Sequence, residues 1–106
     1  MPRADDAPLP LAHLRVMEAG GGAALAYAGK LFADFGATVV KLEPPGGDPM
    51  RAIPPLVETG AGPQSALFAW LNTNKRSVTR APDAAPFDVL LDSRPAAERG
   101  PEAPVT

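Results

Sequence analysis

Cysteine is missing from all 106 residues. Its absence excludes a disulfide framework, a thiolate nucleophile and a zinc–cysteine centre together, and it fits a reducing, cytoplasmic setting. Histidine occurs once, as His13, just ahead of the first strand pattern, where a surface position is expected rather than a general base. Positive charge is not in surplus. Ten Lys and Arg stand against twelve Asp and Glu, a net charge of -2, so no basic field exists to meet a nucleic-acid backbone. No apolar run approaches the length needed to span a bilayer. The opening Met1–Pro10 mixes Arg3 with Asp5, Asp6 and three prolines, which is not a signal-peptide pattern. A soluble protein is expected, without nucleic-acid or membrane partners. No serine lies in a G-x-S-x-G turn. The aspartates Asp5, Asp6, Asp34, Asp48, Asp83, Asp88 and Asp92 fall in loops, at turns or on an exposed helix face, with no acid/base couple among them. No metal site is expected.

What is present suits one small domain. Apolar residues make up 45%, ordinary for a globular chain, and the length allows one modest core. Proline is abundant at 14 residues, and Pro82, Pro86, Pro95, Pro101 and Pro104 crowd the end, where they oppose helix and central strand. The expected organisation is a flexible N-terminus over 1–10, a folded α/β domain over 11–95 and a disordered proline-rich tail over 96–106.

Within the domain, 14–18 reads as a short strand running into Gly20-Gly21-Gly22, a turn of residues without Cβ. Ala23 to Phe35 reads as an amphipathic helix with an apolar stripe of Leu25, Ala28, Phe32 and Phe35, widened by Ala24 and Leu31. Gly36 is its natural stop, and Thr38–Leu42 is a β-branched second strand. Strand, turn, helix and strand make a βαβ unit with parallel strands, the core of a partial Rossmann-like sheet. Pro44–Pro49 is a loop leading into an irregular stretch through about Gly62. Ser65 caps a short helix over 66–71, with Leu67, Phe68, Trp70 and Leu71 read as core. Short strands at 75–79 and 88–91 bring the sheet to about four. The first two strands alternate rather than running apolar throughout, so one sheet face is expected to be poorly covered unless further protein or a second copy packs there.

Several residues invite chemistry, each beside a plainer reading. The glycine turn before a helix suits a phosphate, or is simply a tight βα turn. It lacks the third glycine of a dinucleotide fingerprint, because Leu25 stands there. Glu43, at a strand's carboxyl end, could accept from a ribose or be a solvated acid. Lys41 could be a buried amine, or more commonly an outward strand residue with its head in water. Asn74-Lys75-Arg76-Ser77 could hold a phosphate or carboxylate, or be a solvated turn.

Three segments in order resemble a known family: 9–16, then 29–49 (Gly29-Lys30-Leu31-Phe32-Ala33-Asp34-Phe35-Gly36 through Lys41-Leu42-Glu43-Pro44-Pro45-Gly46-Gly47-Asp48-Pro49), then 71–78. Together they are similar to the amino-terminal part of the class III CoA-transferases of CaiB/BaiF type, the group of formyl-CoA transferase, carnitine CoA-transferase and α-methylacyl-CoA racemase. The resemblance implies a Rossmann-like domain with coenzyme A or acyl-CoA across the strand ends, and a chain that pairs with a second copy or a complementary chain. It implies contacts to CoA from Gly22, Ala23 and Ala24 in the glycine turn, from Arg80 near the adenosine, and from Ser93 and Arg94 after the last strand. In that family a CoA-contacting arginine often follows the second strand's glutamate, where this chain has Pro44. Glu-Asn-Phe is common where Asp92-Ser93-Arg94 stands. The family's nucleophilic aspartate lies downstream of the matched residues, so no catalytic residue is assigned and the chain alone is expected to be inactive. The alternatives are a non-catalytic binding or assembly module, and an unrelated Rossmann-like nucleotide binder, which Leu25 disfavours.

Overall fold

The computed structural model describes residues 8–80 and 87–95. Most of the flexible N-terminus expected over 1–10, and all of the tail expected over 96–106, lie outside them. The elements run β1 (Arg15–Ala19), α1 (Ala23–Asp34), β2 (Thr38–Leu42), a 3₁₀ turn (Pro49–Ala52), β3 (Leu56–Thr59), β4 (Gly62–Ser65), α2 (Ala66–Leu71), β5 (Lys75–Val78) and β6 (Val89–Asp92). Four strands form one parallel sheet in the order β5-β2-β1-β6. The chain leaves β1 toward β2 and β5 on one side and returns to β6 on the other. The order therefore reverses beside β1, and in open α/β sheets ligands lodge outside the carboxyl ends of the strands at such a switch.

The register fixes which side chains share a face. Val16 pairs with Val39 and Val89, and Glu18 with Lys41 and Leu91. Side chains alternate along a strand, so Val16, Glu18, Val39, Lys41, Lys75 and Ser77 all point to one side. α1 lies on that side. Its C-terminal half closes an apolar cluster of Val16, Ala33, Ala37 and Val39, ringed by Leu11, Leu14, Phe32, Val89 and Leu91. A second cluster of Ala26, Met50 and Leu71, with Phe68 against it, joins α1 to α2 and the 3₁₀ turn. The opposite face, with Met17, Val40 and Leu90, carries no helix among the described residues, yet Val40 and Leu90 are buried; the alternation of β2 marked that face as the apolar one, and the helix lies on the other.

Three expectations change. The stripe of α1 is rotated: its buried residues are Ala26, Gly29 and Ala33, while Leu31 and Phe35 are exposed. The helix lies close to the sheet, so small residues face it directly, Phe32 packs at the edge of the cluster, and Leu31 and Phe35 are turned out. The stretch after Pro49 is also not irregular, since β3 and β4 pair as an antiparallel hairpin. The cap at Ser65 forms as read, its hydroxyl accepting from Phe68 N at 3.1 Å. Trp70, read as core, is 55% exposed and instead stacks on Tyr27 with ring centroids 6.2 Å apart, under the ammonium of Lys30.

Candidate functional site

The site begins at the glycine turn. Gly20 has φ 113°, a conformation costly for any residue with a Cβ, and a Cβ there would run into Ser93 Oγ. That hydroxyl accepts from Gly21 N and donates to Gly21 O, both at 3.1 Å, while Ser93 N donates to Ala19 O at 3.0 Å. The loop after β6 is thus laced to the turn after β1, across the switch point. Gly22 begins α1 without a capping side chain, and Ala23 and Ala24 are exposed in its first turn.

Under the turn, between α1 and the sheet, lies a buried cluster of two carboxylates and two ammoniums. Lys41 Nζ donates to Glu18 Oε1 at 3.0 Å and meets Asp48 Oδ2 at 2.8 Å. Lys75 Nζ meets Glu18 Oε2 at 2.7 Å and donates to Ala26 O and Asn72 Oδ1, both at 2.8 Å. Glu18 and Lys41 are 0% and 1% exposed. Two acids balance two bases here, which is what makes so much buried charge tolerable. Burial opposes the charge on Lys41, yet its contacts to Asp48 and Glu18 outweigh this and hold its pKa above the ordinary value. For Lys75 burial wins over the attraction of Glu18, and its pKa is lowered. The outward reading of Lys41 is therefore corrected. It follows Val39 by two residues and so shares the core-facing phase of its strand. Lys75 and Arg76 are corrected as a pair: as neighbours on β5 they point to opposite faces and cannot jointly cradle an anion.

Glu43 is buried too, against the reading of a solvated acid. Its Oε1 accepts from Asp48 N at 2.7 Å and from Arg51 Nε at 2.8 Å, and its Oε2 accepts from Arg51 Nη2 at 2.7 Å. Ser77 Oγ donates to Oε2 as well. The Arg51 guanidinium, helped by Ser77 and the Asp48 amide, overcomes burial and lowers the Glu43 pKa from 4.5 to about 2. Arg51 in turn lies over the Phe68 ring, 4.2 Å from its centroid.

These elements surround a cleft of about 370 Å³ lined by Gly20, Gly21, Leu42, Glu43, the prolines 44, 45 and 49, Thr79 and Arg94, a size usual for small-molecule sites. Every lining residue follows or ends a parallel strand, or belongs to the loop after β2. Arg94 is held by Asp92, with Nε to Oδ1 at 2.9 Å and Nη2 to Oδ2 at 2.8 Å. Of the residues read from the sequence, Arg94 lines the cleft and Ser93 braces it. Gly22, Ala23 and Ala24 sit next along the chain from the lining glycines. Arg80 is exposed beyond β5, one residue past the lining Thr79. Glu18 and Asp48 were not singled out. The phase of β1 marks Glu18, two residues after core-facing Val16, but nothing local marks Asp48. Among the described residues no group of three or more acids and histidines could hold a metal ion, and no helix is long and apolar enough to cross a membrane.

A mostly parallel α/β sheet with a cleft at its switch point defines a class of ligand-binding domain, and comparison with known proteins narrows it. Residues 11–80 match the model of CoA-transferase family III, and the chain belongs to that family. It is 45% identical over 76 residues to succinyl-CoA–D-citramalate CoA-transferase of Chloroflexus aurantiacus, covering 68% of this chain and 17% of that protein. It is 42% identical over 74 residues to the alpha subunit of succinyl-CoA–L-malate CoA-transferase from the same species, covering 67% and 16%. The crystal structure of a CaiB/BaiF family protein from Brucella suis superposes with a TM-score of 0.62 at 34% identity, covering 68% of this chain and 19% of that one. The chain thus spans less than a fifth of each of these relatives.

Proposed function

We propose that this chain is the CoA-holding, amino-terminal part of a family III CoA-transferase, and that alone it does not move CoA between an acyl-CoA and a carboxylic acid. The observation that carries the reading is the cleft at the carboxyl ends of β1, β2, β5 and β6, where a Rossmann-like half-sheet of this order receives its ligand. Its wall of Leu42 and three prolines offers apolar contact to an adenine or pantetheine surface, and the Arg94 side chain, held by Asp92, closes its edge. The glycine turn lets a ligand approach the backbone, which suits contacts from Gly22, Ala23, Ala24 and Ser93, with Arg80 at the outer edge. Acyl transfer through a mixed anhydride needs a nucleophilic carboxylate. Glu43 is the carboxylate in the cleft wall, and with a pKa of about 2 and three sets of donors already on it it is a poor nucleophile. The names of both Chloroflexus relatives specify succinyl-CoA, so a CoA thioester is the ligand class inferred here.

Calorimetric titration of the purified chain with CoA should give a dissociation constant in roughly the micromolar range or weaker, weakened further in Arg94→Ala. The same preparation should form no new thioester from succinyl-CoA and a panel of dicarboxylic acids. Absence of any CoA binding would overturn the holding role, and turnover that co-purifies with the chain would overturn its inactivity. A second reading, an assembly module completed by a separate chain or a second copy, is favoured by the likeness to a relative that is itself named an alpha subunit. Light scattering that shows a stable dimer would support it.

A further inference from the structure

We propose that Asp48 is a positioning residue that sets the proline wall of the cleft against the glycine turn, acting through the buried Lys41. The inference rests on reading the cleft as a CoA site. The wall is formed by prolines 44, 45 and 49, which have no N–H with which to fasten themselves. What fastens the loop is Asp48, and each of its polar groups is engaged. Its N donates to Glu43 Oε1 at 2.7 Å. Its carbonyl accepts from Arg51 N at 2.9 Å. Its Oδ1 accepts from Met50 N at 2.9 Å, and its Oδ2 meets Lys41 Nζ at 2.8 Å, both side chains being 2% exposed. The first three ties are internal to the loop and its root. The fourth reaches directly to a residue inside the sheet, and Lys41 is itself fixed by Glu18 of β1. Asp48 also lies under the opposite wall: a Cβ on Gly21 would sit 3.9 Å from Oδ1. One buried carboxylate therefore ties the proline loop to the sheet, beside the glycine turn.

The test compares two variants. Asp48→Asn keeps the shape and an oxygen for Met50 N, but removes the charge that holds Lys41. The double variant Lys41→Met with Asp48→Asn removes both members of that pair and leaves Glu18 balanced by Lys75, so it leaves no stranded ammonium and recovers part of the thermal stability that the single variant loses. If the loop then occupies its closed position about a tenth of the time, CoA affinity falls about tenfold. Low affinity in both variants, persisting in the double variant despite its partly recovered melting temperature, is the expected result. Affinity that returns together with stability would show a merely structural role and overturn the proposal. If Asp48→Asn does not fold, the double variant carries the comparison. Hydrogen exchange supplies a readout free of CoA. Amides of Gly47, Met50 and Arg51 should exchange faster in the double variant, with those of β1 and β2 still the slowest, and unchanged exchange at the loop would overturn the proposal. Should the wild-type chain fail to bind CoA, the functional reading falls while the exchange comparison still decides the role of Asp48.

Discussion

Gly29 lies where the carboxylate of Glu18 fills the space a side chain would need, and a Cβ there would collide with Glu18 Oε2 and stand 3.1 Å from Lys75 Nζ. Two effects compete in Gly29→Ala. In a free helix the change stabilises by about 1 kcal/mol. Here it must push a buried carboxylate off its two ammoniums, and breaking such a pair costs about 3–5 kcal/mol. The clash wins, and urea unfolding should show a net loss of about 2–4 kcal/mol; an unchanged or raised midpoint would mean that the ion cluster yields freely. Glu43 gives a prediction with a sign. Its folded pKa of about 2 lies below the ordinary 4.5, so the stability it contributes is complete above about pH 4.5 and drains away as pH falls toward 2. Because Arg51 is 45% exposed, the amount is discounted to about 1–2 kcal/mol. Acid titration of Glu43→Gln should lack that component of the slope between pH 4.5 and 2, and slopes matching the wild type would sink the assignment. At this scale the sequence was partly legible. The period of two joins Glu18 to Val16, but in β2 it set Lys41 against the apolar Val40 and Leu42, and charge argues for solvent when no partner is visible. The partners come from separate stretches of chain, which only the parallel register brings together.

At the scale of elements, glycines on both sides of α1 marked its ends to within a residue, and the β-branched run marked β2. The face of α1 was not legible, because a stripe drawn through the largest apolar residues assumes that bulk goes inward. Against a sheet that carries ions, Ala26, Gly29 and Ala33 allow the close approach, and Lys75 reaches the carbonyl of Ala26 at 2.8 Å. The hairpin was hidden by its prolines at 55 and 63, which argue against strand, although Gly60-Ala61-Gly62 is a short glycine-bearing link of the kind hairpins use, with Gly62 at φ 101°. Trp70 tests the joint between α1 and α2. A buried tryptophan cut to alanine costs about 3–5 kcal/mol. Half-exposed and held by one ring contact and one ammonium, Trp70→Ala should cost about 1 kcal/mol. It is the one tryptophan of the chain, so the emission of the wild type should be that of a solvent-exposed indole. A loss above 3 kcal/mol, or a strongly blue-shifted emission, would place it in the core after all.

For the whole molecule, the strand pattern announced parallel neighbours but not the side of β1 on which the last strand would lie, because no local pattern encodes strand order. That order ranks the strength of the parts. β1 is paired on both sides, by β2 and β6, and β2 is paired on both sides, by β1 and β5. β5 and β6 are each bonded in the sheet to one neighbour, and the hairpin β3–β4 stands outside it, almost wholly exposed. Local opening follows the contacts that must be broken. Amides of β1 and β2 should therefore exchange slowest, those of β5 and β6 faster, and those of β3 and β4 fastest, read by hydrogen exchange on the intact chain. Glu18 and Lys41 reinforce the ranking, since parting β1 from β2 would break the buried ion pair that joins the two strands. Exchange from the hairpin as slow as from β1 would mean that the four-stranded sheet is not the centre of stability. The cleft would then have no rigid strand ends on which to hold a ligand.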